Sequence, residues 1–419
     1  MSAFGVGRRW LDLTRAGRLA PERMRALQNA KLRDLAAHAY ATVPFYRQRF
    51  DAAGLRPADI RTVDDLVLLP VVTRAELQAQ PPQALLSAAY PSQSLETTRT
   101  TGSTGRPLEI HRDPAFRQTR SALFLRALAA AGYWPGQRLL ILAGMRRGTA
   151  AGWMRWHYRW RDADPEELVQ ALQEVRPRAL YGPVTVVRRL TDVLVARASI
   201  MRLPDRVFTT AESLDAATRA HVTATLRAEV FEIYGSTELG TVAWECRAHA
   251  GLHLAEETTV LELVPATPDG ACRIVATSLD MRAMPLLRYD TGDLARPADG
   301  ACSCGSGLRR IARIEGRLVD CVRLADGRSL SPYLFTERLE GIPGIERYQL
   351  VQEDFARFRL RVLGQDVLGA AIREAASSVV RDLVGSATVV EVSFERTLDP
   401  PAGRKFRVVE CRVGTEAGA

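Results

Sequence analysis

Between residues 108 and 236 the chain alternates short apolar segments with helix-like segments, and this alternation constrains the possible folds more than any other feature. Strands are predicted at 108–111, 139–142 and 206–210, and helices at 115–131 and 164–175. Strands and helices that follow one another in this way indicate an open α/β sheet. Ligands of such sheets bind at the carboxyl ends of the strands, where we therefore look for functional residues.

The size and composition of the chain are those of a globular protein with more than one domain. It has 419 residues, of which 47% are hydrophobic and 25% charged, and two or three domains are expected. The first 18 residues contain no apolar run long enough for a signal peptide or a membrane span, and the six cysteines are expected to be reduced in the cytoplasm. The net charge of +9 comes from arginines scattered among acids, which disfavours nucleic acid as a partner.

Lysine is almost absent from this sequence. Of 57 basic residues only Lys31 and Lys405 are lysines. A lysine that remains against such a bias is favoured where a compact ammonium must meet one tetrahedral oxygen, which the planar guanidinium of arginine does less well. Lys31 lies in a helix-like, Ala- and Leu-rich segment and is expected at the surface, so Lys405 is the candidate functional lysine.

A Thr/Ser/Gly run at 100–107 has the composition of a phosphate-binding loop. Glycine lets successive backbone N–H groups face one anion, and the small hydroxyls add donors without bulk. No Lys-Ser or Lys-Thr pair follows the last glycine, so the run is not a Walker motif. The alternative is a flexible turn. The candidate phosphate ligands are Thr100, Thr101, Gly102, Ser103, Thr104 and Gly105.

Four further motifs follow this loop along the chain. They are Tyr-Gly-Ser-Thr-Glu at 234–238, Tyr-Asp-Thr-Gly-Asp at 289–293, Arg-Ile-Glu-Gly-Arg-Leu-Val-Asp at 313–320 and Gly-Arg-Lys-Phe-Arg at 403–407. With the loop, they resemble the motifs of the adenylate-forming enzymes, and the chain as a whole is similar to their phenylacetate–CoA ligase branch, which also includes coenzyme F390 synthetase-like members. The motifs occur in the family's order across nearly the whole chain.

This resemblance implies a fold class and a domain organisation. We expect an α/β protein with a large N-terminal adenylate-forming domain at 1–318, built from open α/β sheets and a small β-subdomain. A small, mobile α+β domain is expected at 319–419, with Asp320 at the pivot. The Gly-Arg-Lys sequence carries an arginine that the family's Gly-Lys pattern lacks, and the scarcity of lysine favours Lys405 over Arg404 as the catalytic residue.

The resemblance also implies a nucleotide site. Tyr234 offers a flat face to adenine, Thr237 can donate to a phosphate and Glu238 can hold Mg²⁺. Asp293 is expected to accept hydrogen bonds from both ribose hydroxyls, near Arg317. The adenine site is expected to be completed by Ala211, Glu212, Ser213, Gly235 and Ser236.

The function that the resemblance implies is ATP-dependent activation of a carboxylic acid to an acyl-adenylate, followed by transfer to the thiol of CoA. The tryptophans and tyrosines between 133 and 160 favour an aromatic acid, although these side chains would equally suit an aromatic core or a subunit contact. One alternative keeps adenylation but transfers the acyl group to a carrier-protein thiol or an amine. Another is an inactive, zinc-stapled binding protein on the same fold. The branch suggests a homodimer.

Cysteines and histidines form two groups on either side of a predicted β-hairpin, and together they could close one tetrahedral Zn²⁺ site. Some members of the resembled branch carry a structural zinc here. The proposed ligands are Cys246, His253, Cys302 and Cys304, with His249 as the alternate. The alternative is a set of reduced, buried cysteines with incidental histidines. A site with four protein ligands would be structural, since no position remains for water.

Overall fold

The computed structural model describes residues 3–99, 108–144, 147–149, 154–195, 202–364, 369–398 and 406–413. The helices in this part of the chain are α1 (Ala3–Ala16), α2 (Pro21–Thr42), α3 (Pro44–Ala52), α4 (Arg74–Gln78), α5 (Pro82–Leu85), α6 (Pro114–Ala130), α7 (Pro165–Val175), α8 (Val184–Val195), α9 (Ala216–Leu226), α10 (Pro332–Leu339) and α11 (Gly369–Val384). The strands are β1 (Glu96–Arg99), β2 (Glu109–Arg112), β3 (Leu139–Ala143), β4 (Arg147–Thr149), β5 (Trp156–Trp160), β6 (Ala179–Pro183), β7 (Arg206–Thr210), β8 (Glu229–Ser236), β9 (Gly240–Glu245), β10 (Leu252–Leu254), β11 (Thr259–Pro265), β12 (Cys272–Ser278), β13 (Tyr289–Pro297), β14 (Arg310–Arg317), β15 (Val322–Arg323), β16 (Ser329–Leu330), β17 (Ile345–Asp354), β18 (Arg357–Gly364), β19 (Val389–Phe394) and β20 (Val409–Cys411).

One twelve-stranded sheet organises the first three quarters of the chain, in the order β11-β12-β13-β14-β10-β9-β8-β7-β6-β3-β5-β4. Strands β5, β3, β6, β7 and β8 are parallel neighbours, whereas β8 to β14 are joined by antiparallel pairs. The strands expected in a separate β-subdomain are thus the antiparallel half of the same sheet. Because β8 continues to Ser236 and pairs with β9, it joins the two halves. The α/β fold class is confirmed.

Helices cover the parallel half, as its apolar strands require. Helix α7 begins as its sequence predicts, with Pro165 in its first turn and the Asp164 carboxylate accepting a hydrogen bond from the backbone N–H of Glu166. Helices α7, α8 and α9 pack their apolar sides against β3, β6, β7 and β8 in one buried cluster. Helix α6 packs on α1 and β9 in another cluster. The cleft described below lies between α6 and the strand ends.

The C-terminal region forms a second sheet, in the order β19-β18-β17-β20, with α10 and α11 in its core. The last two strands of the chain do not pair with each other. Strands β19 and β20 lie at opposite edges, each parallel to its neighbour, since the β17–β18 hairpin occupies the centre.

Lys31, which is expected at the surface from the sequence, is half-buried and makes contacts within the fold. Its ammonium donates to the backbone carbonyl of Glu257 (2.7 Å) and to the Asp280 carboxylate (2.8 Å), and it ties α2 to the antiparallel half of the sheet. Burial lowers the pKa of Lys31, while Asp280 opposes that shift. Among the described residues, no helix is both long and apolar enough to cross a membrane.

Candidate functional site

A cleft of about 1240 Å³ lies at the carboxyl ends of β6, β7 and β8, and helix α6 and strands β13 and β14 form its other walls. This is where a doubly wound α/β sheet places its ligands. Ten residues singled out from the sequence line it together. They are Ala211, Glu212, Ser213, Tyr234, Gly235, Ser236, Thr237, Glu238, Asp293 and Arg317.

The sequence-based candidates at 100–105 and Lys405 lie outside the described residues. Their roles stay predictions.

The 211–213 segment follows directly after β7. Ala211 has a φ of +70°, in the left-handed region that few residues with side chains adopt. The Glu212 carboxylate accepts hydrogen bonds from the backbone N–H (2.8 Å) and the hydroxyl of Thr185, in the first turn of α8. A carboxylate at a helix N-terminus is favourable, so this contact anchors the segment against α8.

Tyr234 and Gly235 lie within strand β8, close to its end at Ser236. The strand register shifts between these two residues. A Cβ on Gly235 would collide with the backbone carbonyl of Gly240, so the close approach of β9 requires a glycine there. The Tyr234 hydroxyl donates to Asp293 (2.8 Å), which holds the ring beside the strand that carries this carboxylate. Burial raises the pKa of Tyr234 well above its usual value, and the phenol remains neutral.

Asp293 and Arg317 are direct partners across β13 and β14, with the Arg317 Nε 3.7 Å from one oxygen of the Asp293 carboxylate. The carboxylate is therefore held between a phenol and a guanidinium at the edge of the cleft. This arrangement suits a ligand that offers two neighbouring hydroxyl groups, because a carboxylate can accept both.

Glu238 is almost fully buried, at 6% exposed. It accepts hydrogen bonds from Arg74 (3.0 Å) and from the Tyr289 hydroxyl (3.2 Å), and both end on Oε1. The described residues donate no hydrogen bond to Oε2, so that oxygen fits a role as a ligand of a hard cation such as Mg²⁺. The backbone carbonyl of the preceding Thr237 accepts a hydrogen bond from the buried Arg112.

One end of the cleft has aromatic walls. Phe124 makes edge-to-face contacts with Trp156 (5.4 Å between ring centroids) and Tyr181 (4.7 Å), and Tyr158 lies beside them. The sequence predicts that the aromatic residues between 133 and 160 line an acyl pocket or form an aromatic core, and different residues fit each alternative. Trp156 and Tyr158 face the cleft, whereas Tyr133 lies in the core.

Sequence reasoning missed the cleft residues Arg74, Arg120, Phe124 and Tyr181. Two of them could have been found, because Arg117, Arg120, Ser121 and Phe124 recur at helical spacing on the face of α6 that lines the cleft. Arg74 and Tyr181 come from other elements and carry no motif.

The end of β14 and the residues that follow it link the two sheets. Glu315 is buried and accepts hydrogen bonds from Arg296 (2.6 Å) and from the hydroxyl of Ser331, the residue that caps α10 (3.0 Å). Five residues later, Asp320 forms an ion pair with Arg407 from the C-terminal region. The 313–320 motif thus contacts the C-terminal region at two points.

The predicted metal ligands come together. The ligand atoms of Cys246, His253, Cys302 and Cys304 lie within 4.8 Å of one another, and the Sγ atoms of Cys246 and Cys302 are 3.7 Å apart. Burial lowers the pKa of His253 and favours the neutral imidazole that a metal requires. The alternate, His249, stacks on Phe231 instead (4.7 Å between centroids) and is not in the cluster. Three thiolates and an imidazole at this spacing fit zinc.

The comparisons with known proteins agree with this geometry. No protein-family model matches the chain. It is 29% identical to the phenylacetate–coenzyme A ligase of Thermus thermophilus, over 94% of this chain and 98% of that protein. It is 27% identical to the phenylacetate–coenzyme A ligase of Aromatoleum evansii, over 82% of this chain and 81% of the other.

Among solved structures, the chain is similar to 2-hydroxyisobutyryl-CoA ligase in its post-adenylation state. The TM-score is 0.77 with 18% identity, and the match covers 96% of this chain and 91% of the other. That likeness shows the fold. The chain is therefore similar in fold to an acyl-CoA ligase and, over nearly its whole length, similar in sequence to phenylacetate–coenzyme A ligases.

Proposed function

We propose that this protein activates a carboxylic acid with ATP and transfers the acyl group to the thiol of CoA. The observation that carries the proposal is the convergence of three distant motifs in one cleft beside an aromatic chamber. Tyr234 would lie against adenine, Asp293 would bind the ribose hydroxyls and Glu238 would hold Mg²⁺.

In the first step, a carboxylate oxygen of the acid attacks the α-phosphorus of ATP, and the bond to the bridging oxygen breaks as pyrophosphate leaves. Mg²⁺ would neutralise phosphate charge when bound. Positioning and charge stabilisation dominate such transfers, so the cleft needs no strong general base. Thr237 and the 100–105 loop would donate to phosphate oxygens, and Lys405 would meet the charge that develops on them.

In the second step, the thiol sulfur of CoA attacks the acyl carbon, AMP leaves with the bonding electrons and the thiol proton passes to solvent. We assign residues 1–318 to the adenylate-forming domain and 319–419 to a domain that rotates between the steps. The Asp320–Arg407 ion pair lies at the expected pivot, where a few residues can absorb the change in backbone angles.

The aromatic walls favour an aromatic acid as substrate. We also assign a structural Zn²⁺ to the cluster of Cys246, His253, Cys302 and Cys304, since a set of four protein ligands leaves no open position for catalysis.

A direct test incubates the purified protein with ATP, Mg²⁺, CoA and a panel of aryl and alkyl acids, and detects AMP and acyl-CoA by mass spectrometry. We expect stoichiometric AMP and thioester with an aromatic acid. Parallel reactions replace CoA with hydroxylamine or amines. Products that form with an amine and never with CoA would overturn the assignment of the acceptor, and no AMP with any acid would overturn the function.

A further inference from the structure

The arginines of the cleft differ in how they are neutralised. Five line it, and four of them lie within 4 Å of a carboxylate. The pairs are Arg74–Glu238 (3.0 Å), Arg117–Glu96 (2.6 Å), Arg161–Asp162 (3.7 Å) and Arg317–Asp293 (3.7 Å). Arg120 has no ion pair among the residues that the structure describes, and its buried Nε has no hydrogen-bond partner there.

Arg120 also lies next to the aromatic wall of the cleft. It lies one helical turn before Phe124 on the same face of α6, and Phe124 contacts both Trp156 and Tyr181. Burial lowers the pKa of the Arg120 guanidinium, and the nearest acid that opposes this, Glu96, is already held by Arg112 and Arg117. A cation in such surroundings is costly unless an anion or an acceptor joins it.

The backbone makes room for this side chain. Gly240 has a φ of +78°, and a Cβ placed on it would lie 2.9 Å from the Arg120 Nε. The arginine stem therefore rests on a bare stretch of backbone at the start of β9, immediately after the Thr237–Glu238 pair. Arg120 thus lines the same cleft as Phe124, Trp156 and Tyr181, the residues of the aromatic chamber.

We propose that Arg120 is a specificity-determining residue and that the acid substrate carries a second anionic group, which this guanidinium binds. The inference rests on the proposed function and names its substrate class, an aromatic acid with an additional carboxylate. The reacting carboxylate points toward the nucleotide, while the second carboxylate satisfies Arg120 inside the chamber. The planar guanidinium matches a carboxylate with two parallel hydrogen bonds.

The test uses benzoic and phenylacetic acids that carry a carboxylate, a carboxamide or a methyl group on the ring. ATP–pyrophosphate exchange is measured for the wild type, Arg120→Gln and a control, Arg178→Gln, which removes an arginine that pairs with Asp205 outside the cleft. We expect the wild type to prefer the diacid. In Arg120→Gln, kcat/KM for the diacid should fall roughly 10- to 100-fold, mainly through KM, while the methyl acid changes less than threefold. Arg178→Gln should keep the preference of the wild type.

Two other results would overturn the inference. If Arg120→Gln raises the KM of ATP equally with every acid, the arginine binds the triphosphate. If it lowers kcat/KM equally for diacids and monoacids, it meets the reacting carboxylate.

Binding of acylsulfamoyl adenosine analogues, measured by calorimetry, separates this inference from the proposed function. A diacid analogue that binds the wild type more tightly than Arg120→Gln would support the inference even if no acid gave exchange. Equal affinities of the diacid and methyl analogues for the wild type would overturn it, whether or not exchange occurs.

Discussion

The cleft and the Cys/His cluster both bring together side chains from distant parts of the chain. They differ in which groups make hydrogen bonds or contacts with those side chains. In the cleft, Glu238, Asp293 and Glu212 each have donors from other elements. In the cluster, the Cys302 sulfur lies against that of Cys246 and the Cys304 sulfur against the His253 ring, so these side chains contact other members of the cluster. The cleft is thus preorganised by the protein itself, whereas we propose that a bound zinc ion holds the cluster. We therefore expect substitutions in the cleft to change activity and substitutions in the cluster to change stability.

Glu238→Gln gives the largest expected effect and would sharpen this contrast. A neutral amide is a poorer ligand for Mg²⁺, so kcat/KM for adenylation should fall roughly 10²- to 10³-fold. The thermal midpoint should stay close to that of the wild type. Arg74→Gln is the control, because it removes the ion-pair partner but keeps the carboxylate, and its loss of activity should be smaller. Retention of more than a tenth of the activity by Glu238→Gln would remove this residue from the magnesium site.

Cys246→Ser should have the opposite signature. Losing one of four ligands should release the metal and lower the thermal midpoint by roughly 5 °C or more, with little change in turnover per folded molecule. Cys272→Ser, at a buried cysteine outside the cluster, is the matched control. Metal content is measured by mass spectrometry alongside the melting curves. Equal thermal midpoints for the two variants, or a wild-type protein that contains no zinc, would contradict the proposed structural zinc site.

Asp293→Asn probes the ribose side of the cleft. An amide accepts two hydroxyls less well than a carboxylate, so the KM of ATP should rise roughly 10-fold with a smaller change in kcat. Tyr234→Phe removes only the hydroxyl that donates to Asp293, so it should raise the KM of ATP less than Asp293→Asn does. A change in the KM of the acid instead of ATP would place Asp293 in the acyl chamber.

Glu232 gives the smallest effect, on stability. Burial, with the nearby Glu245 carboxylate, raises the pKa of Glu232 to about 8. Glu232 loses its proton at about pH 4.5 in the unfolded chain but only at about pH 8 in the folded protein. Between these two pH values the folded protein binds one more proton than the unfolded chain, so the free energy of unfolding falls as the pH rises. Glu232→Gln should gain roughly 3 to 5 kcal/mol at pH 9 and nothing below pH 4.5. A gain of the same size at both pH values, in urea titrations, would contradict this pKa.

The sequence predicts elements whose determinants are local. The alternating strands, the cap of α7 at Asp164 and the β11–β12 hairpin all appear where expected. The four soft ligands also converge, because their spacing places them on neighbouring strands and loops.

Contacts between distant segments could not be predicted in this way. Arg112 reaches Thr237 across 125 positions, and Lys31 reaches Asp280 across 249. The lack of an ion pair at Arg120 among the described residues could not be predicted either, because it depends on which carboxylates other segments of the chain bring near. The edge positions of β19 and β20 likewise follow from the whole C-terminal sheet.

The central claim is that the cleft forms an acyl-adenylate, and ATP–pyrophosphate exchange without CoA tests it most directly. The assay uses the wild type and Lys405→Ala with a panel of aromatic acids. We predict exchange that depends on the acid and that the variant loses. Exchange that is absent with every acid, in a protein that is folded and loaded with Mg²⁺ and ATP, would contradict the account.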